Sequence, residues 1–341
     1  MLKTKVIIPI FLLVSIAGVI GFFIGNSISN NEFHSVSEKK NTEDNTLEQR
    51  AGGSYKFINP LLECDNFQPS RLNSLIKIET ELKNYITQSL TKGTSNHISF
   101  YFRSLNGGPW IGIDEHHNYS PASLLKVPIM IGVLKKAEKE PGLLSRKINY
   151  SYLRDKEYVP NIKDQLIKVG NAYKVQELIK SMIEHSDNEA KELLVEILGE
   201  QELIQVLEEI GVNTKGVNLS QDFVSVKAYS SFFRLLFNAT YLNREMSELA
   251  LNILNTSAFK KGIPAQLPTN MVVSHKFGER GFIDSDKKQL HDCGIVYLPN
   301  NPYLVCIMTK GDNFDELTQV IADISGIVYK NVNATNGNIP Q

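Results

Sequence analysis

Tyr119-Ser120-Pro121-Ala122-Ser123-Leu124-Leu125-Lys126-Val127-Pro128 is the stretch on which the reading of the fold turns. A turn of small residues runs straight into an apolar helical pattern, and Ser123 stands three positions before Lys126. If Ser123 opens that helix, both side chains lie on one face, one turn apart. A hydroxyl with an amine beside it is a candidate nucleophile and base. The spacing alone selects nothing, because Ser-x-x-Lys also begins at Ser37, Ser74, Ser89, Ser257 and Ser285. A Ser here is equally a good helix N-cap. The surroundings have to choose.

Upstream, residues 98–102 and 110–113 read as strands joined by Asn106-Gly107-Gly108, a hairpin signal. Before them Leu72, Leu75, Ile76, Leu82, Tyr85 and Ile86 recur at helical spacing. Downstream, residues 127–139 continue as a helix, with Pro128 early, where a Pro costs least. A helix over 175–184 stops at His185-Ser186-Asp187-Asn188, and Ala190, Leu193, Leu194, Ile197 and Leu198 open a new apolar face. Further helices are predicted over 203–210, 228–237 and 246–254. Residues 271–277, 294–298 and 303–309 read as strands, with Pro299-Asn300-Asn301-Pro302 turning between the last two. A closing helix over 314–327 precedes a polar tail from Asn331 onward. Strands at both ends with helices between predict an α+β layer fold in which both ends of the chain build one antiparallel sheet flanked by a helical cluster. The globular part is placed at residues 70–330 and the tail at 331–341.

Composition excludes several classes. The chain has 341 residues and a formal net charge of -1, with no basic patch interleaved with aromatics, so nucleic acid is not an expected partner. The seven His residues show no His-Glu-x-x-His and no Cys/His ligand spacing, so neither a metal nor a cofactor is expected. Three Cys are too few for a disulfide framework. Cys293 and Cys306 fall on neighbouring strands and read as two buried thiols rather than a bridge. Residues 6–24 are almost wholly apolar and follow Lys3 and Lys5, long enough to cross a bilayer. No small-x-small site follows, which favours an uncleaved signal-anchor (residues 1–25) over a cleaved signal and places the rest outside the cytoplasm. Residues 26–69 are polar and read as a flexible tether, with a short apolar patch at 57–62 whose docking on the domain the sequence leaves open.

Three motifs now stand in order: Ser123-Leu124-Leu125-Lys126, Ser186-Asp187-Asn188 and Lys276-Phe277-Gly278. Their order and settings resemble the class A β-lactamases and the related penicillin-binding proteins, which carry Ser-x-x-Lys at a helix start, Ser-Asp-Asn on a loop between helices and Lys-Thr-Gly on a strand. The resemblance spans roughly residues 70–330. It implies a serine acyl-hydrolase that needs no cofactor, with a β-lactam or a cell-wall peptide as substrate. Ser123 is then the nucleophile and Lys126 its base. Ser186 passes a proton toward the leaving nitrogen, Asn188 holds the substrate amide, and Lys276 is a neighbouring cation. The backbone N–H groups of Ser123 and Glu279 would form the oxyanion hole beside Gly278. Tyr158 resembles the aromatic wall of the family's cleft. His185 and His275, which flank two of the motifs, are read as structural.

Two departures matter. Phe277 replaces the hydroxyl residue that helps the family bind a substrate carboxylate, and Arg280 is the candidate replacement charge. The segment 211–222 is short and lacks the Glu that activates the deacylating water in class A enzymes. Its one carboxylate, Asp222, reads as a capping or turn residue rather than a base. Three outcomes therefore stay open: hydrolysis of a β-lactam, a D-alanyl-D-alanine peptidase or transpeptidase, and a module that is acylated without turnover.

Overall fold

The computed structural model describes residues 48–50, 55–64, 72–106, 108–153, 166–216, 221–282 and 285–336. The apolar run at 6–24, Tyr158 and the tail beyond Asn336 lie outside these residues. Among the described residues no helix is long and apolar enough to cross a membrane.

A five-stranded sheet carries the fold. Its strands are β1 (His97–Ser104), β2 (Trp110–Ile113), β3 (Val273–Phe282), β4 (Ser285–Val296) and β5 (Tyr303–Gly311). They are ordered β2-β1-β5-β4-β3, and all four pairings are antiparallel. Residues 97–113 and 273–311 therefore meet in one sheet, as the sequence predicts.

Both faces of that sheet are covered, which is why β5 reads as a continuous apolar run rather than an alternation. One face packs on helix α1 (Leu72–Lys92), through Leu75, Ile78, Leu82 and Ile86. The same layer takes in Leu317, Val320, Ile321, Ile324, Val328 and Val332 of the last helix. The other face, with Tyr101, Cys293, Ile295, Leu304, Cys306 and Met308, packs on a cluster of six helices. These are α2 (Lys126–Ala137), α3 (Val175–Glu184), α4 (Asn188–Leu198), α5 (Glu200–Glu209), α6 (Val226–Asn238) and α7 (Arg244–Asn255). Helix α2 is buried continuously from Lys126 to Leu134, so it is the central helix of the cluster. Gly132 permits this closeness, since a Cβ there would lie 2.7 Å from Leu198 Cδ2.

Three expectations need correction. Cys293 and Cys306 are directly opposite each other in the β4–β5 register and form a disulfide. Residues 48–50 and 55–64 are not a free tether: Glu48–Arg50 pairs with Leu61–Cys64, and Phe57 and Ile58 enter the helical core. The Glu248 carboxylate accepts the backbone N–H groups of Lys56, Phe57 and Ile58 at 2.8–3.1 Å, which satisfies donors that burial would otherwise strand. Finally, α8 runs Phe314–Asn336, past the predicted start of the tail. Asn331 is buried there and donates to Glu81 at 2.8 Å.

Candidate active site

Within residues 119–128 lies a 3₁₀ turn, Ala122–Leu125, running directly into α2. Pro121 is the residue preceding that turn and no side chain caps it, so the Ser123 hydroxyl is not used as a helix cap. Ala122 takes a left-handed backbone (φ 50°), an unfavourable state for a residue with a Cβ. That sharp corner delivers Ser123 to the head of the helix, partly exposed. Tyr229 on α6 donates its hydroxyl to the Leu124 carbonyl at 2.9 Å and steadies the turn from beneath.

Lys126 follows one turn later and is 1% exposed. Its Nζ lies 3.2 Å from Ser123 Oγ, 2.5 Å from the Ser186 carbonyl, 3.0 Å from Ser186 Oγ and 2.7 Å from Asn188 Oδ1. A neutral amine has two N–H donors and one lone pair. The carbonyl and the amide oxygen can only accept, so they take the two donors and leave the lone pair facing the two hydroxyls. Burial holds the Lys126 ammonium well below its ordinary range, and the neighbouring Lys276 and Lys191 push the same way.

The Ser186-Asp187-Asn188 segment links α3 to α4 and splits its work by direction. Ser186 is left-handed (φ 57°), which turns its hydroxyl toward both lysines. Asp187 points back into the protein. It caps α4 through Ala190 N–H (3.1 Å) and accepts from Ile167 N–H (3.0 Å) and Ser181 Oγ (2.9 Å). Asn188, in the first turn of α4, returns its side chain to Lys126.

Lys276 comes from β3 and is fully buried. Its Nζ donates to Ser186 Oγ at 3.1 Å and to the Phe277 carbonyl at 2.8 Å. Burial drives its pKa down to about 7, against the opposing pull of Asp292 and Glu279. Ser186 Oγ thus sits between two amines whose charged forms are both disfavoured. Phe277, where the resemblance expects a hydroxyl, places its ring 4.1 Å from Lys276 Nζ and stacks on Phe259 at 4.3 Å. Gly278 faces the nucleophile turn closely: a Cβ there would lie 2.9 Å from the Pro121 carbonyl and 3.0 Å from Leu124 N. Glu279, the next residue of β3, lies near enough to raise the pKa of both lysines.

Arg280 donates to Ser120 Oγ at 2.7 Å. Ser120 is further held by Gln289, which accepts its N–H, and by His291 Nε2, 3.0 Å from its carbonyl. Burial pushes the His291 imidazole down to about 4, so it is neutral, and Thr309 N–H faces its Nδ1 at 3.3 Å. Nε2–H is then the donor to Ser120. Tyr229, Gln289 and His291 were not singled out in the sequence, because nothing local ties them to Ser123. Asp222 is held by Gln289 (3.0 Å) and Lys310 (2.8 Å), in keeping with a structural role. His275 pairs with Asp292 at 2.8 Å, fully buried, and Asp292 also accepts Ile263 N–H.

The chain is similar in sequence and in fold to known proteins. Residues 77–332 match the model of the Beta-lactamase enzyme family. The chain is 21% identical over 272 residues to β-lactamase VEB-1 of Pseudomonas aeruginosa, covering 71% of this chain and 87% of that protein. It is 24% identical over 243 residues to a β-lactamase of Bacteroides uniformis, covering 65% and 82%. Among solved structures, a β-lactamase of Chitinophaga pinensis superposes with a TM-score of 0.66 at 20% identity, covering 74% of this chain and 98% of that one. A mutant of PBP-A, captured as its acyl-enzyme with penicillin G, superposes with a TM-score of 0.64 at 19% identity, covering 76% and 97%.

Proposed function

Because the chain belongs to the beta-lactamase enzyme family, we propose that it is a serine acyl-hydrolase that opens a β-lactam amide through a Ser123 acyl-enzyme. The observation that carries this is a buried amine whose charged form burial disfavours, 3.2 Å from Ser123 Oγ. An ordinary Lys would be protonated and useless as a base near neutral pH; the surroundings of Lys126 remove that obstacle. Lys126 takes the Ser123 proton as Oγ attacks the carbonyl carbon. The N–H groups of Ser123 and Glu279 receive the developing oxyanion. The amide C–N bond breaks, and the proton reaches the leaving nitrogen through Ser186, which contacts both Lys126 and Lys276. Water then attacks the ester and releases the acid. Asn188 and Arg280 contact the substrate amide and carboxylate. Hydrolysis unchanged by Arg280→Ala would remove Arg280 from this role.

A second reading is favoured by one observation. The segment 211–222 holds no Glu, and Asp222 is tied to Gln289 and Lys310. Deacylation is then slow, and the chain behaves as a penicillin-binding module or acts on D-alanyl-D-alanine peptides. The experiment that separates the readings follows a chromogenic cephalosporin for product and intact mass together. Continuous product supports the hydrolase. A stable adduct on Ser123 without product supports the second reading. Product or adduct persisting in Ser123→Ala refutes both. The apolar run at 6–24 is proposed to hold the enzyme on the outer face of the cytoplasmic membrane, which membrane fractionation with protease accessibility tests.

A further inference from the structure

Away from Ser123 the fold gathers a second group of chemistry-bearing side chains. His97 begins β1, Asp114 follows the end of β2, and His117 precedes the short strand Asn118–Tyr119. His97 Nε2 lies 2.5 Å from Asp114 Oδ2, and the His97 and His117 rings stack with centroids 3.9 Å apart. One donor atom from each of the three lies within 4.8 Å of the other two. We propose that His97, Asp114 and His117 bind a divalent transition-metal ion, zinc by the chemistry of the donors.

Two imidazoles and one carboxylate are a zinc-type donor set, and three protein ligands leave a fourth position for water. The site is built before the ion arrives. The β1–β2 register, with Phe100 opposite Ile113, brings Asp114 beside Ser99, and His97 Nε2 reaches its carboxylate. Asp114 is left-handed (φ 46°), and its carbonyl accepts both Ser99 Oγ (2.7 Å) and His117 N–H (3.2 Å), closing a four-residue turn. That turn carries Asp114 and His117 toward His97 without help from the side chains, so little ordering remains for the ion to impose. The side chains of His97 and Asp114 keep 33% and 50% of their exposure, which leaves the ion a way in.

A simple ion pair accounts for His97 and Asp114 but not for His117. Its ring meets another imidazole and, at 3.0 Å from Nε2, the ammonium of Lys310. Lys310 has only donors, so Nε2 presents a lone pair to it. The ammonium and a metal ion compete for that lone pair. When the metal binds at Nε2, Lys310 retains Asp222 Oδ2 (2.8 Å) and the Asn118 carbonyl (3.3 Å). None of these groups contacts Ser123, Lys126, Ser186 or Lys276, so the ion is structural. It ties the start of β1 and the end of β2 to the segment that leads through Tyr119, edge-on to His117 at 5.0 Å, into the nucleophile turn.

The test uses the untagged full-length chain, freed of metal with EDTA and titrated with zinc chloride. One equivalent binds and raises Tm. His97→Ala and His117→Ala each weaken binding by about tenfold or more, with Tm in EDTA close to that of the unaltered chain. Lys310→Met tightens binding. Cobalt(II) in the unaltered chain supplies a readout that needs no variant: a visible ligand-field band that zinc abolishes. Absence of saturable zinc binding, binding undiminished in the doubly substituted His97→Ala/His117→Ala chain, weaker binding in Lys310→Met, or a cobalt spectrum indifferent to zinc would each overturn the proposal.

Discussion

Replacing Lys276 by Met should stabilise the fold while abolishing acylation of Ser123. Lys276 is fully buried, and burial lowers its pKa from an ordinary 10.5 to about 7. The folded pKa lies below the unfolded one, so the unfolded chain binds more protons between about pH 7 and 10.5. Stability therefore rises with pH through that window, and the penalty is fully present below it. A drop of about 3.5 pH units corresponds to about 5 kcal/mol at low pH, about 4 kcal/mol at pH 7 and about 1.5 kcal/mol at pH 9.5. Met is apolar and of similar length, so it removes this penalty. It also loses the hydrogen bonds to Ser186 Oγ and the Phe277 carbonyl, a cost of about 1–3 kcal/mol that does not vary with pH. The net gain at pH 7 is about 1–3 kcal/mol. Between pH 7 and 9.5 it falls by about 3 kcal/mol, because the two pH-independent losses cancel in that difference. Relief of Lys126, whose charge Lys276 opposes, adds in the same direction. Urea unfolding of both proteins at the two pH values measures the difference, and intact mass after incubation with penicillin measures acylation. A stability gap equal at both pH values, or one that widens as pH rises, refutes the reasoning.

Other perturbations probe the supports around the site. Reducing the Cys293–Cys306 disulfide, which closes a loop with a sequence separation of 13, should cost about 3 kcal/mol; unfolding midpoints with and without reductant give the value, and no change refutes it. Glu248→Gln should cost about 2 kcal/mol by weakening charge-assisted bonds to three backbone N–H groups. It should expose residues 55–60 to proteolysis while leaving the Ser123 acylation rate unchanged. Gly278→Ala should slow acylation by about tenfold or more, since its Cβ meets the Pro121 carbonyl at 2.9 Å and forces β3 and the nucleophile turn apart; an unaltered rate in stopped-flow acylation would show that the two need not be in register.

The sequence shows the frame of this site more clearly than its supports, for a physical reason. Ser123, Lys126, Ser186, Asn188 and Lys276 lie in three short motifs, none selective alone, whose order along the chain resembles that of the class A β-lactamases, and that resemblance singles them out. The helix over 175–184 was readable to the residue, because its apolar period stops where Ser186 must turn. The disulfide was not. Cys293 and Cys306 face each other only in one register of β4 against β5, and that register is set by Pro299-Asn300-Asn301-Pro302 together with both sheet faces being buried. A strand covered on both sides loses the alternation that would reveal which residues share a face. The sequence leaves the docking of Phe57 and Ile58 open for a related reason: the polar composition around them outweighs two apolar residues, and the partner that fixes them, Glu248, lies 190–191 positions away. Asn331 reads as part of a frayed end because its partner, Glu81, is at the other end of the chain.

The costs concentrated around Ser123 bear on how the proposed chemistry divides. Left-handed Ala122 and Ser186, and two amines without exposure, are each unfavourable in isolation. The groups that hold them there act on positioning: Asp187 through three hydrogen bonds, Tyr229 through the Leu124 carbonyl. That expenditure serves the first half-reaction, which needs a neutral amine already aimed at a hydroxyl. The second half-reaction needs a base aimed at a water. Asp187, which bears on Lys126, is committed to the N–H groups and hydroxyl it accepts, and Asp292, which bears on Lys276, to His275 and Ile263. On the proposed reading Lys126 passes its proton on during acylation and is neutral again afterwards. The group built for acylation is then also available as a base for release. Turnover would be set by how well one amine serves two differently placed protons, and the site is shaped around the first of them.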